Sequence, residues 1–245
     1  MSGAKVGLPP PVASRLSVGM RRLFTAFAFL LMACRILAGP VPAELEAALK
    51  PFRAEGAKGW AFTQTSTGDT KSMVERFNPL SKNFQQWTLL QQDGHAPTPE
   101  ETAKYNERKG RRSSNENAPN VKDQLAPDSC EIVSETPERG VYRFKLKAAD
   151  DDDKSAEFMN VLFTLHRPTS TIEQVELAST GPFSPVMMVN VKEARTVMVY
   201  SLPEGDRPSF LLSVDLRIRG KAMWFRSLDQ DLKVTYTDYV FAGKK

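Results

Sequence analysis

The chain is poor in the residues from which most reaction chemistry is built, with two cysteines and two histidines in 245 residues. Cys34 and Cys130 can form one disulfide at most, which excludes a disulfide scaffold. The Gly-x-Ser-x-Gly elbow, the His-Glu-x-x-His helix, the Cys-x-x-Cys pair and the glycine-rich lysine loop are all missing. His95 falls in an Asp-Gly-His-Ala-Pro turn and His166 ends a strand beside Arg167, so both read as solvated or structural. Cys130 stands in Asp-Ser-Cys-Glu-Ile, whose acidic neighbours oppose a thiolate, and burial at a strand start is its expected state. The acidic run Asp150 to Asp153 lacks the spacing and glycine of a calcium loop. Paired carboxylates on adjacent strands would suit a hydrolase, but nothing in the chain singles out such a pair. The expectation is a non-enzymatic protein with no cofactor and no metal.

A one-signed charge is missing too. The formal net charge is +4, yet five of the 33 basic residues and none of the 29 acidic ones fall in the first 39 positions. The remainder carries 28 against 29, which removes the electrostatic case for nucleic acid. Long apolar runs are also lacking: Leu23 to Cys34 spans 12 positions before Arg35, short of the roughly 20 needed to cross a bilayer. With Met20-Arg21-Arg22 before it and small residues and prolines after it, this run has the layout of an export signal, with Met20 as a candidate translation start. Two processing routes stay open. Cleavage near Ala38 and Gly39 would release the protein, and is favoured. Lipidation of Cys34, within Leu31-Met32-Ala33-Cys34, would tether it. Residues 1–39 are thus expected to be leader, and 40–245 one domain.

What the chain has is alternation. Leu45, Ala48, Leu49 and Phe52 share one face of a helix predicted over Ala43 to Phe52 and ended by Gly56 and Gly59. Strands are predicted from Trp60, over Lys71 to Phe77, and over Phe84 to Gln91. Thr98-Pro99-Glu100-Glu101 is a capping box opening a helix to about Arg108. Lys109, Arg111 and Arg112 read as a solvated helix end, with contact to an anionic headgroup or phosphate as the alternative, and Gly110 to Asp128 as a mobile, solvent-exposed connector. A strand at Val141 to Lys147 and a short helix at Lys154 to Asn160 precede further strands at Val161 to Arg167, Ile172 to Leu177, Met187 to Val191, Thr196 to Tyr200, Phe210 to Arg219, Lys221 to Arg226 and Asp231 to Tyr239, with a tight turn at Arg219-Gly220-Lys221. The fold class that follows is α+β, a large curved antiparallel sheet of about ten or eleven strands, an incomplete barrel closed by two or three helices.

Glu75-Arg-Phe-Asn-Pro, Trp87-Thr-Leu-Leu, Asp93-Gly94, Pro97-Thr-Pro-Glu-Glu, Gly220-Lys-Ala-Met-Trp-Phe-Arg-Ser-Leu-Asp and Val234-Thr-Tyr-Thr-Asp-Tyr, in this order of elements, resemble exported bacterial proteins of the LolA/LolB-like superfamily of periplasmic lipoprotein carriers and receptors. The resemblance implies a half-barrel over an apolar cavity, a periplasmic location and lipid or acylated protein as cargo; no position matches the carriers' gating arginine. The alternating pattern itself names Trp60, Phe62, Trp87, Leu89, Val189, Leu212, Val214, Leu216, Val234 and Tyr236 as side chains able to line such a cavity or to fill it. The expected function is binding of an apolar or lipid-like ligand, with the helix at Thr98 to Arg108 as a lid and only transient membrane contact unless Cys34 is lipidated. The alternative is a solid structural module of the envelope that recruits a protein partner through a sheet edge or its basic loop.

Overall fold

Period-two alternation organises most of the chain into a single sheet. The computed structural model describes residues 39–54, 57–82, 85–111, 121–148, 154–223 and 225–243, all within the unit Leu37–Lys245. Leader residues 1–38, Cys34 among them, Gly56, Phe84, Arg112 and Asp150–Asp153 lie outside the described residues. The elements are α1 (Ala43–Leu49), β1 (Trp60–Gly68), β2 (Ser72–Phe77), β3 (Trp87–Gln92), α2 (Pro99–Arg111), β4 (Glu131–Glu135), β5 (Arg139–Lys145), β6 (Met159–His166), β7 (Thr171–Ser179), β8 (Val189–Tyr200), β9 (Leu211–Ala222), β10 (Arg226–Ser227) and β11 (Gln230–Phe241). The eleven strands form one open, curved antiparallel sheet in the order β3-β2-β1-β11-β9-β8-β7-β6-β5-β4, with β10 added to β9. The pairing of β1 with β11 joins the first and last strands. Among the described residues no helix is long and apolar enough to cross a membrane.

Both helices cover the same face. Register carries that face along one rung, Met73, Ser66, Val234, Val214, Met198, Val175, Phe163 and Tyr142. Over β5 to β8, α1 buries Leu45, Ala48 and Leu49 against Tyr142, Phe144, Phe163, Leu165 and Ile172; burial of each leucine is worth roughly 1.5–3 kcal/mol. Glu44 anchors the start of α1, accepting from the Tyr142 hydroxyl at 2.7 Å and pairing with Arg167 at 2.9 Å. Those two partners hold the Glu44 carboxyl below its usual range, the Tyr142 hydrogen bond first.

Several elements depart from the sequence reading, each for a local reason. α1 ends at Leu49, ahead of Pro51; Phe52 leaves the helix and packs edge-on against Tyr200. The strands expected at Met187 to Val191 and Thr196 to Tyr200 are one strand, β8, which absorbs a bulge between Val191 and Glu193, and Met187 and Met188 lie before it. Gly220 is not a turn: β9 runs through it, and glycine is required because a Cβ there would sit 2.5 Å from the Asn190 carbonyl oxygen. A second bulge, where Ser213 faces Val199 and Leu211 faces Tyr200, makes Leu212 the extra residue; Leu211 is buried and Leu212 is 40% exposed. The expected connector at Gly110 to Asp128 is partly structured. α2 extends to Arg111, and 3₁₀ turns occupy Val121–Gln124 and Pro127–Ser129. Between those turns Leu125 is buried in the main core and bridges to Leu146.

Candidate functional site

Over β1 to β3 and β11 the inner face is lined by rings. Phe62 lies at the centre, with centroids 5.0 Å from Phe77, 5.7 Å from Trp87, 5.6 Å from Tyr236 and 5.5 Å from Tyr239. Tyr239 stacks on Phe210 at 4.2 Å, and Phe210 meets Trp60 edge-on at 4.8 Å. The β1–β2–β3 register dictates this gathering, since Phe62, Phe77 and Trp87 share one rung. Phe210 is buried, whereas Trp60, Phe62, Phe77, Trp87, Tyr236 and Tyr239 are only half-buried, so the rings form a shelf and not a sealed core. Desolvation raises the Tyr236 and Tyr239 phenols, which therefore stay protonated at neutral pH.

α2 is held above this half of the sheet by polar groups. Its start is the expected capping box: the Thr98 amide donates to Glu101 Oε2 at 2.8 Å, and the Glu101 amide donates to Thr98 Oγ1 at 3.3 Å. Among its described side chains only Tyr105 is buried. The Tyr105 hydroxyl donates to Glu75 Oε1 at 2.7 Å, Lys109 Nζ pairs with the same oxygen at 2.8 Å, and Gln64 Nε2 donates to Glu75 Oε2 at 3.0 Å. Glu75 is 2% exposed, and a buried carboxylate needs such partners. Burial and the Glu75 bond push the Tyr105 phenol far up, so it acts as a fixed donor and not as a proton source. Lys109 also lies 4.1 Å from the Trp87 ring centroid, while Gln92 donates to Glu101 at 3.1 Å. Lys109 is thus a latch residue, which corrects its reading as part of a solvated helix end. Its partner was visible in principle, because Glu75 occupies the inward register of β2 between Met73 and Phe77.

The ten cavity candidates do not share one space. Trp60, Phe62, Trp87 and Tyr236 belong to the ring shelf, while Leu89 and Val234 are buried, at 6% and 8% exposure. Val214 packs against the α1 core. Leu216 borders a cleft of about 330 Å³ with Asp69, Arg195, Arg217, Asp231 and Lys233, Val189 opens β8, and Leu212 is exposed. A larger cleft, of about 560 Å³, lies beyond the end of α1 and is lined by none of the ten. Phe52, Ile172 and Tyr200 contribute apolar surface to it, and Arg53 and Lys58 contribute charge. Its volume is in the range of ligand pockets.

The remaining reactive side chains lie apart. Cys130 is buried just before β4, and desolvation raises its thiol. His95 is exposed, and His166 Nδ1 lies 2.8 Å from Thr169 Oγ1. Among the described residues no three acidic, histidine or cysteine side chains converge as a metal site needs.

No family model matches the chain, and no curated protein matches it. A solved structure titled GphF Dehydratase 1 is similar over 82% of this chain and 82% of that one, at 11% identity and a TM-score of 0.16. A variant of that dehydratase made for improved crystallization aligns at 11% identity over 79% of this chain and 81% of that chain, again with a TM-score of 0.16. Superposition at that level carries no argument about fold or activity.

Proposed function

We propose that this protein is an exported, non-enzymatic binding protein that takes an apolar or lipid-like ligand on the inner face of its half-barrel sheet, beneath α2. The observation that carries this reading is the ring shelf: Phe62, Phe77, Trp87, Tyr236 and Tyr239 in mutual contact and Trp60 joined to them through Phe210, all but Phe210 half-buried. Apolar surface left in this state inside a curved sheet favours a ligand over water. A helix attached by one buried side chain is suited to act as the lid. The expected leader within residues 1–39 and the resemblance to LolA/LolB-like carriers favour a periplasmic setting, with acylated protein or free lipid as cargo. The second reading, a module that recruits an envelope protein through a sheet edge, draws on β4, where Ile132 and Val133 are 45% and 40% exposed on the outermost strand.

The test is to purify the chain from an exporting host, denature it and look for released lipid by mass spectrometry. Stoichiometric acyl lipid is expected, reduced in a Phe62→Ala, Trp87→Ala variant that keeps the wild-type far-UV dichroism. A ligand-free protein that also takes up no pyrene-labelled fatty acid would overturn the reading.

A further inference from the structure

β8 and β9 outrun their neighbours. The last rung β8 shares with β7 is Arg195 with Ala178, and the last that β9 shares with β11 is Ile218 with Gln230. Beyond these, β8 and β9 pair through Glu193–Arg219, Val191–Gly220, Asn190–Lys221 and Val189–Ala222. Among the described residues they are flanked there by β10, by Leu228 and Asp229 bonded to the Gly220 backbone, and by the bridge from Phe183 to Val191. At roughly 3.3 Å per residue this makes an arm of about 10–13 Å. Its end is closed by the Met223 amide donating to the Met188 carbonyl at 2.8 Å, with both residues in the left-handed region at φ 49° and 68°.

The end of this arm is apolar and uncovered. Met187 is 87% exposed, Phe225 79%, Val186 63%, Met188 59% and Met223 51%. Contiguous exposed apolar surface marks a place of contact. Immediately behind it Lys221 and Arg226 are exposed and make no ion pair with a described residue. Lys192 follows, near Asp229, while the nearby Glu193 faces Arg195 and Arg219.

We propose that the arm inserts its tip into the interface of an anionic lipid bilayer, with Val186, Met187, Met188, Met223 and Phe225 entering the acyl boundary and Lys221 and Arg226 meeting the phosphates. Three features select lipid over a protein partner. The surface is a projecting tip and not a groove or a flat patch. Three of its five side chains are flexible methionines that impose no fixed shape. The unpaired cations stand one or two residues behind the apolar end, the order of depth that an interfacial insertion requires. This inference is independent of whether the ring shelf holds cargo.

The test is hydrogen exchange of the full chain with and without vesicles, read locally because the apolar run at Leu23 to Cys34 offers a second route to lipid. With vesicles of equal phosphatidylglycerol and phosphatidylcholine, exchange in the segments around Met187 and Phe225 should slow by about tenfold. Pure phosphatidylcholine should leave it nearly unchanged. The Met187→Asp, Phe225→Asp variant, altered only at exposed positions, should lose the slowing while β6 amides exchange as in the wild type. Unchanged exchange on anionic vesicles would overturn the proposal, as would equal slowing on neutral ones. Slowing that appears without vesicles and grows with protein concentration would assign the tip to a protein contact and overturn it as well.

Discussion

The two helices cover adjoining halves of one sheet face by opposite means. α1, seven residues long, buries Leu45, Ala48 and Leu49 and is fused to a core that runs from Tyr142 to Leu211. α2, thirteen residues long, buries one described side chain, Tyr105, and is fastened through a carboxylate on β2. Helix length therefore says nothing here about strength of attachment; the chemistry of the contact decides it. Apolar burial is non-directional and is lost only when the whole core opens. A latch of two hydrogen bonds, Tyr105 to Glu75 and Gln92 to Glu101, with the Lys109–Glu75 ion pair is directional and is suited to release as a unit while the sheet stays intact.

Substitutions on each side should separate these behaviours. The largest effect is expected under α1, where Leu45→Ala should lower global stability by about 2–5 kcal/mol, measured from the urea midpoint, because a fully buried side chain leaves a cavity. Glu75→Gln should cost about 2 kcal/mol, felt mainly as faster exchange of α2 amides, with β5 to β8 protected as before. A global shift as large as that of Leu45→Ala would erase the contrast between the halves. Tyr105→Phe removes one hydrogen bond and keeps the ring, so about 1 kcal/mol of α2 docking should be lost by the same measurement.

The smallest effect concerns pH. Glu101 is held below its ordinary value of 4.5 chiefly by the Thr98 amide. A lowered folded-state value means that its contribution is complete above pH 4.5 and is lost as pH falls through the folded value below it. The α2 start should therefore fray in acid, visible in Thr98 to Thr102 amide exchange. Glu44 is lowered in the same direction, by Tyr142 and Arg167, so the start of α1 should loosen in the same window. Its apolar anchor should keep the rest of that helix in place.

Much of the sheet was legible because alternation is a local signal: β5, β9 and β11 follow it closely. What failed were places where the partner strand decides. Gly220 and Leu212 sit at or opposite bulges, and a bulge depends on the register of β8, which β9 does not encode by itself. The loop before β4 failed because one leucine, Leu125, is enough to pin an otherwise polar segment to a core. In the ring shelf the aromatic residues were identifiable by their inward positions, but their half-exposed state depends on how much sheet α2 covers. The latch is hidden because Lys109, beside Arg111 and Arg112, reads as a surface cation, although Glu75 in an apolar register demands a partner.

Central to the proposed function is α2 as a releasable cover over a binding surface. It is tested most directly by the association rate of a pyrene-labelled fatty acid, measured by stopped flow for the wild type and for Glu75→Gln. The variant, with its urea midpoint little changed, is expected to bind faster by about tenfold if the proposed lid must open for entry. Equal rates in the two proteins would show that α2 is not the gate, and no binding by either would contradict the ligand itself.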